Sequence, residues 1–325
     1  MKTLFSIIIP VRKSNPYLEE TLSEFEKQSY KNFEILVIDD QVSGSANPAE
    51  KRNLGANKAK GQYLVFLDDD SYPDSNYLKN TLKLIKKHPN VAAFCGPCIT
   101  PPEDTFSQKA SGLLWSSFLG SGGAGVYRNS IQDPRFVNDY PSVNLIVKKE
   151  DFDYIKGFNT SYWPGEDTLL CLDLTKKIKN NIYYHPTIIV YHHRRSVIIP
   201  HLQQITRYAI HRGFFAKKFP KTSFKIGYFL PSLSFLYILF LTLIGFFKPH
   251  SLFYVPLFLY LSILITTFVK FLFDQNKIKT SFLATITIPI THLYYGILFL
   301  NGLFKKEIKF KAHDFDPKTG KYIGG

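Results

Sequence analysis

Residues 4–9, LFSIII, form an apolar run rich in β-branched side chains, the pattern of a strand buried on both faces. Asn15 and Pro16 open a stretch, 17–28, in which Leu18, Leu22 and Phe25 recur at helical spacing. The alternation continues. EILVI at 34–38 predicts a second strand ending on Asp39-Asp40, and 49–60 a helix. QYLVFL at 62–67 predicts a third strand ending on Asp68-Asp69-Asp70, and 74–87 a further helix. Strand, helix, strand, helix, strand is the order of a parallel α/β sheet. Residues 99–147 break the rhythm with Gly, Ser and Pro, which predicts either a mobile loop over a site or a linker. VNLIV at 143–147 predicts another strand, followed by a helix and Gly157-Phe158. Gly165-Glu166-Asp167 then precedes a helical run through Leu174.

The pattern changes after residue 225. Residues 226–247, 249–269 and 280–304 contain no charged side chain. Each is long enough, at 1.5 Å per residue, to cross a hydrocarbon core of roughly 30 Å. The expected organisation is a catalytic domain over 1–200, an amphipathic interfacial helix over 201–224, a membrane region over 225–304 with about three hydrophobic helices (226–247, 249–270, 280–304), and a basic tail over 305–325. The N-terminus carries no cleavable leader pattern, so the first domain is expected in the cytosol. Lys217, Lys218, Lys221 and Lys225 before the first segment agree with that side, against Lys248 alone in the loop after it. Lys305, Lys306, Lys309 and Lys311 do not: three spans would put them outside. The third segment, which holds Pro289, His292 and Asn301, either spans or lies re-entrant or in the interface. The expected location is the cell (inner or plasma) membrane with the catalytic domain on its cytoplasmic side.

The chain has 325 residues and a formal net charge of +14. Such a charge fits an anionic surface, a phosphorylated ligand or nucleic acid. The basic residues gather beside the membrane segments, within HLQQITRYAIHRGFFAKKF at 201–219, and no nucleic-acid motif accompanies them, so no nucleic-acid partner is expected. Cys95-Gly96-Pro97-Cys98 has half-site spacing without a second pair, which predicts buried or loop thiols beside Cys171.

The acidic clusters change the picture most. Both stand directly after a strand, and ligands of open α/β sheets bind outside the carboxyl ends of strands. Asp68-Asp69-Asp70 predicts a Mg²⁺ or Mn²⁺ bridging a diphosphate, with a solvated cap as the plain alternative. Asp39-Asp40 offers an acceptor to a base or ribose. Glu166-Asp167, behind Trp163-Pro164-Gly165, offers a proton acceptor, with Trp163 as a flat surface for a sugar ring. Its plain alternative is a helix start. In Tyr191-His192-His193-Arg194-Arg195, one histidine could complete the metal shell, His193 being the choice, and the arginines could hold phosphate.

In this order the chain resembles the family 2 glycosyltransferases with the GT-A fold, over roughly residues 4–212. The matching residues are Ile7-Ile8-Ile9-Pro10 with Arg12, Ile38-Asp39-Asp40, and Arg52-Asn53-Leu54-Gly55 before Ala59-Lys60-Gly61-Gln62-Tyr63. They continue through Phe66-Leu67-Asp68-Asp69-Asp70, Gly157-Phe158, Gly165-Glu166-Asp167 and Gln204-Ile205-Thr206-Arg207-Tyr208. The resemblance implies an α/β, Rossmann-like nucleotide-diphospho-sugar transferase domain followed by transmembrane helices. It implies donor contacts from Pro10, Arg12, Asp40, Arg52, Asp68 and Asp69, with Asp40 on the base. It implies metal held by Asp70 and Asp68, and Asp167 as catalytic base beside Glu166. Gln204 and Arg207, with Trp163, would meet acceptor and diphosphate. Tyr208 stands where membrane-bound synthases carry tryptophan, which counts against a processive polymerase. The expected activity is inverting, hexosyl-type transfer from a nucleotide-sugar, UDP-linked, to a membrane-associated lipid-linked or saccharide acceptor in cell-envelope glycan synthesis. A processive polysaccharide synthase and a non-catalytic scaffold are the alternatives.

Overall fold

The computed structural model describes residues 4–178, 181–245, 247, 250–274, 277–308, 314–316 and 321–323. Two compact units emerge. The first holds the described residues of Met1–Ile99, Ser130–His192 and Lys309–Gly325, the second those of Thr100–Asn129 and His193–Ile308. Residues 100–129 fall in the second unit, with the C-terminal helices.

In the first unit the chain runs β1 (Phe5–Pro10), α1 (Pro16–Glu26), β2 (Phe33–Ile38), α2 (Asp40–Ser43), α3 (Pro48–Lys58), β3 (Tyr63–Phe66), β4 (Ser71–Pro73), α4 (Tyr77–Lys87), β5 (Ala93–Cys95) and β6 (Cys98–Ile99). The helices of the other unit follow as α5 (Phe106–Ser116), α6 (Phe118–Ser121) and α7 (Ala124–Asn129). The chain then returns as β7 (Arg135–Val137), a single 3₁₀ turn over Ser142–Asn144, β8 (Leu145–Lys148), α8 (Lys149–Tyr154), α9 (Glu166–Lys176), β9 (Ile182–Tyr184) and β10 (Val190–His192).

Seven strands form one sheet in the order β2-β1-β3-β8-β5-β9-β7. β1 is parallel to β2 and β3, and β8 runs antiparallel to both β3 and β5. Every residue of β1 and β3 is buried, as their unbroken apolar runs demand. The Asn15 side chain accepts from Leu18 N at 3.1 Å and Pro16 occupies the first turn, so α1 starts where the sequence predicts. Its Leu18 and Phe25 join Phe5, Ile7, Ile9, Val65 and Phe94 in the core. Gly55 lets α3 lie on β1: a Cβ there would stand 2.6 Å from Ile8. A second, three-stranded sheet has the order β4-β10-β6.

In the second unit α10 (Ile199–Lys218) and α11 (Pro220–Ser223) precede α12 (Ile226–Phe240), α13 (Val255–Phe273) and α14 (Ile278–Phe304). Three helical stretches, Ile226–Leu243, Ser251–Phe273 and Ile278–Phe304, are long and apolar enough to cross a membrane. The stretch 99–147, expected as loop or linker, instead holds α5–α7 and β7. Ala110 of α5 packs with Phe271 and Ala284, which draws this insertion onto α14. The expected interfacial helix is also packed: His201 Nε2 of α10 lies 3.0 Å from Thr291 Oγ1 of α14. Cys95, Cys98 and Cys171 are buried free thiols. Asp314–Asp316 and Lys321–Ile323, within the expected tail, pair as an antiparallel ribbon. Lys248, Lys309 and Lys311 lie outside the described residues.

Candidate active site

Asp68, Asp69 and Asp70 follow β3, each half-buried, and each has a different partner. Asp68 Oδ1 accepts from Arg52 Nη2 at 2.7 Å. Asp69 Oδ2 accepts from Asn15 Nδ2 at 2.7 Å. Asp70 Oδ1 lies 3.2 Å from His192 Nε2. Burial, with Asp70 beside it, raises the Asp69 pKa above the usual carboxylate range. The acidic turn therefore concentrates negative charge where it is least well hydrated.

Arg52 joins this turn to the second acidic pair. It is 4% exposed on α3, and its other terminal nitrogen, Nη1, donates to Glu166 Oε1 at 2.9 Å. The guanidinium also lies over the Phe158 ring, 5.6 Å from its centroid. One planar fork thus ties the end of β3 to the first turn of α9. α9 begins after Gly165, whose φ of +123° disfavours any side chain. Glu166 is buried, whereas Asp167 is half-buried, with Oδ1 accepting from Thr168 N at 2.7 Å. Burial, reinforced by Asp167 and opposed by Arg52, pushes the Glu166 pKa up to about 7. The two neighbouring carboxyls are differentiated: one is buried on Arg52, the other is half-buried.

That difference makes a pH prediction. The folded pKa of Glu166 exceeds its unfolded value of about 4.5. Its stabilising contribution is fully present below about pH 4.5 and is lost as pH rises through about 7. The loss is on the order of 3 kcal/mol. Thermal unfolding of detergent-solubilised protein should therefore decline over this window in wild type more than in Glu166→Gln; parallel profiles would refute the assignment.

The remaining candidates divide. Pro10 ends β1, buried and paired with Ile38. Arg12 is exposed, and its carbonyl accepts from Asp40 N at 3.3 Å. Asp40, expected on the nucleotide base, is 1% exposed and ion-paired with the equally buried Lys51. Burial lowers the Lys51 pKa against the pull of Asp40. Asp39 instead caps α2, accepting from Val42 N at 2.6 Å. Arg52, expected on the donor, has both terminal nitrogens committed to protein carboxylates. Trp163 is half-buried in the turn before Gly165.

The histidine at Asp70 is His192, not His193. β4 and β10 pair antiparallel with Ser71 opposite His192, so the register delivers that ring to the acidic turn. His193 belongs to the second unit, where its Nδ1 lies 2.5 Å from Asp104 Oδ1. Gln204 and Arg207 also lie in the second unit, on α10; Gln204 Nε2 donates to Tyr208 Oη at 3.2 Å, and Arg207 is exposed. Sequence reasoning missed Asp104, Lys51 and Asn15. Only Asn15 had a signal, as a helix cap.

Among the described residues no three His, Cys, Asp or Glu side chains converge as a metal cluster. A hard divalent cation on a diphosphate does not need three, since one or two carboxylates with phosphate oxygens and water complete its shell. Asp70 with His192, beside the crowded Asp69, fits such a partial donor set.

The model of Glycosyl transferase family 2 matches residues 6–51 and 43–134. A Methanococcus voltae protein, dolichyl N-acetyl-alpha-D-glucosaminyl phosphate 3-beta-D-2,3-diacetamido-2,3-dideoxy-beta-D-glucuronosyltransferase, is 25% identical over 347 residues, covering 94% of this chain and 97% of its own. An uncharacterized glycosyltransferase of Haemophilus influenzae is 25% identical over 210 residues, 56% of this chain and 75% of its own. Among solved structures, a Pyrobaculum calidifontis mannosyltransferase in complex with GDP-Man and Mn²⁺ superposes with a TM-score of 0.59 at 15% identity, over 94% of this chain and 89% of its own. That likeness establishes the GT-A fold. With the acidic turn after β3, the fork on α3 and the carboxylate pair opening α9, the chain is similar to the glycosyl transferase family 2 proteins, whose model matches it over residues 6–134.

Proposed function

We propose that this glycosyltransferase moves one sugar, with inversion, from a nucleotide-sugar to a lipid-linked saccharide acceptor, using Asp167 as base. The carrying observation is the Arg52 fork: it holds the buried Glu166 and the partly exposed Asp68, while Asp167 stays half-buried at the start of the same helix and Asp70 lies beside His192.

The acceptor hydroxyl transfers its proton to an Asp167 carboxylate oxygen as the hydroxyl oxygen bonds to the anomeric carbon. The bond from that carbon to the diphosphate breaks, and its electron pair leaves on the phosphate oxygen. Attack opposite the leaving group inverts the centre. Asp70 and His192 would hold a Mg²⁺ or Mn²⁺, which when bound neutralises charge on the departing diphosphate. Arg52 fixes the spacing between the carboxylate turn and α9. Trp163 offers an apolar plane to the acceptor sugar. Mn²⁺ is bound by the mannosyltransferase of the same fold, which supports divalent-metal dependence. The Methanococcus voltae relative, named for a dolichyl-phosphate-linked acceptor, supports a lipid-linked one here.

The test is a screen of nucleotide-sugars, UDP-linked ones first, for nucleoside diphosphate release with membrane lipid extract. Release that requires both the extract and a divalent cation is expected. Release independent of the extract would sink the lipid-linked acceptor, and a ladder of added sugars would favour polymer synthesis. The histidine choice has its own check. His192→Ala should raise the Mn²⁺ concentration for half-maximal activity roughly 10–100-fold, as loss of a supporting group at a metal site does. His193→Ala should leave it near wild type, and the reverse ranking would return the site to His193.

A further inference from the structure

α10 and α14 run parallel and touch along most of the length of α10. His201 meets Thr291, Thr206 Oγ1 lies 2.8 Å from Tyr294 Oη, and Lys217 Nζ donates to Lys305 O at 2.5 Å. Two glycines permit the approach: a Cβ on Gly213 would stand 2.0 Å from Phe299 O, and one on Gly302 2.0 Å from Ile210 O. The contacts therefore extend from Thr291 to Lys305, about 21 Å of α14 at 1.5 Å per residue. Over the same length α10 carries Arg207, Arg212, Lys217 and Lys218, with Arg207, Lys217 and Lys218 exposed. A helix bearing these cations cannot follow its partner through hydrocarbon.

The rest of α14, residues 278–290, is about 20 Å long, short of a hydrocarbon core of roughly 30 Å. Its surface has the matching asymmetry. The exposed large apolar side chains, Ile278, Phe282, Ile286, Ile290, Ile297 and Phe304, recur at intervals of four and seven, which is one face of a helix. Other positions bury Thr280, Ser281, Thr285, Thr287 and Thr291. Asn301, in the half beside α10, is exposed.

We propose that α14 does not cross the bilayer but lies with α10 as an interfacial platform, its partner being one leaflet of the membrane. The apolar stripe of α14 enters the acyl boundary and both its ends stay on the side occupied by α10. Lys305 and Lys306, exposed past the end of α14, then join Lys217, Lys218, Lys221 and Lys225 at phospholipid headgroup depth on one face. This removes the conflict between the C-terminal lysines and the positive-inside rule, which places that face in the cytosol.

The full chain tests this by labelling with a membrane-impermeant maleimide in sealed vesicles of each orientation. Cys95, Cys98 and Cys171 are buried, so the wild-type background is low. Lys221→Cys, at an exposed position of α11, reports the α10 side. Lys306→Cys, and Lys305→Cys as a second variant, report the end of α14; retained transferase activity shows that each folds. Both are expected to label in the same vesicle orientation as Lys221→Cys, with loss of labelling in the other. Labelling of either active variant from the opposite face would establish a third span and overturn the proposal.

Discussion

Asp167→Asn is expected to lower kcat by about 10²–10⁴-fold, the usual worth of a positioned proton acceptor. Donor KM should stay near wild type. Two adjacent carboxyls differ in their surroundings. Glu166 is buried with Oε1 on Arg52, and an amide at that position can still accept the same hydrogen bond. Asp167 is half-buried and opens the same helix. Its amide variant keeps the shape and can still accept from Thr168 N, but it cannot take a proton at neutral pH. Glu166→Gln should therefore cost little in kcat. Turnover and donor KM measured for both variants at saturating acceptor decide the matter. Wild-type turnover in Asp167→Asn would move the base elsewhere.

The ordering of these two carboxyls was not legible before the fold. Strands β1 and β3 were legible, because a strand buried on both faces must be apolar throughout and few other elements are; β2, half-buried, showed only as a β-branched apolar run. Their ends placed the acidic turns correctly for the same reason. What failed were elements too short to have a period. β4, β6, β9 and β10 span two or three residues, yet β10 alone decides which histidine meets Asp70. Side chains alternate along a strand, so one residue of register separates His192 from His193.

The second failure concerns glycine and hydroxyl residues. The Gly-, Ser- and Pro-rich composition of 99–147 predicted a loop, but α5 forms there because Thr105 and Gln108 build a capping box. Gly112 serves close packing rather than flexibility, since a Cβ there would stand 2.1 Å from Thr100 Oγ1. In α14, threonine and serine carry no charge and so do not interrupt an apolar window. Once folded they cluster on the packed side and make the helix two-faced. The same blindness applies to Asp40 and Lys51. Spacing marks an acidic pair at a strand end, but only packing reveals that a lysine eleven residues later is buried against it.

Arg52 carries the largest expected effect on stability. It is 4% exposed and holds Glu166 and Asp68 at 2.9 and 2.7 Å. Removing one partner of a buried ionic cluster costs about 3–5 kcal/mol, because the remaining charge loses its compensation and cannot recover water. Arg52→Ala should therefore lower the unfolding midpoint of the solubilised protein by on the order of 10 °C. Arg52→Lys should restore part of that loss and little of the turnover: an ammonium supplies the charge, but not the planar fork that sets α9 against the acidic turn. The double variant Arg52→Ala with Glu166→Gln should melt close to Arg52→Ala alone at neutral pH, since without Arg52 the buried Glu166 is already protonated, and the two changes should be non-additive. An Arg52→Ala protein that melts with wild type would mean that the fork does not hold the site together. A Lys variant with full turnover would mean that charge, rather than the geometry linking Asp68 to the base helix, is what the reaction requires.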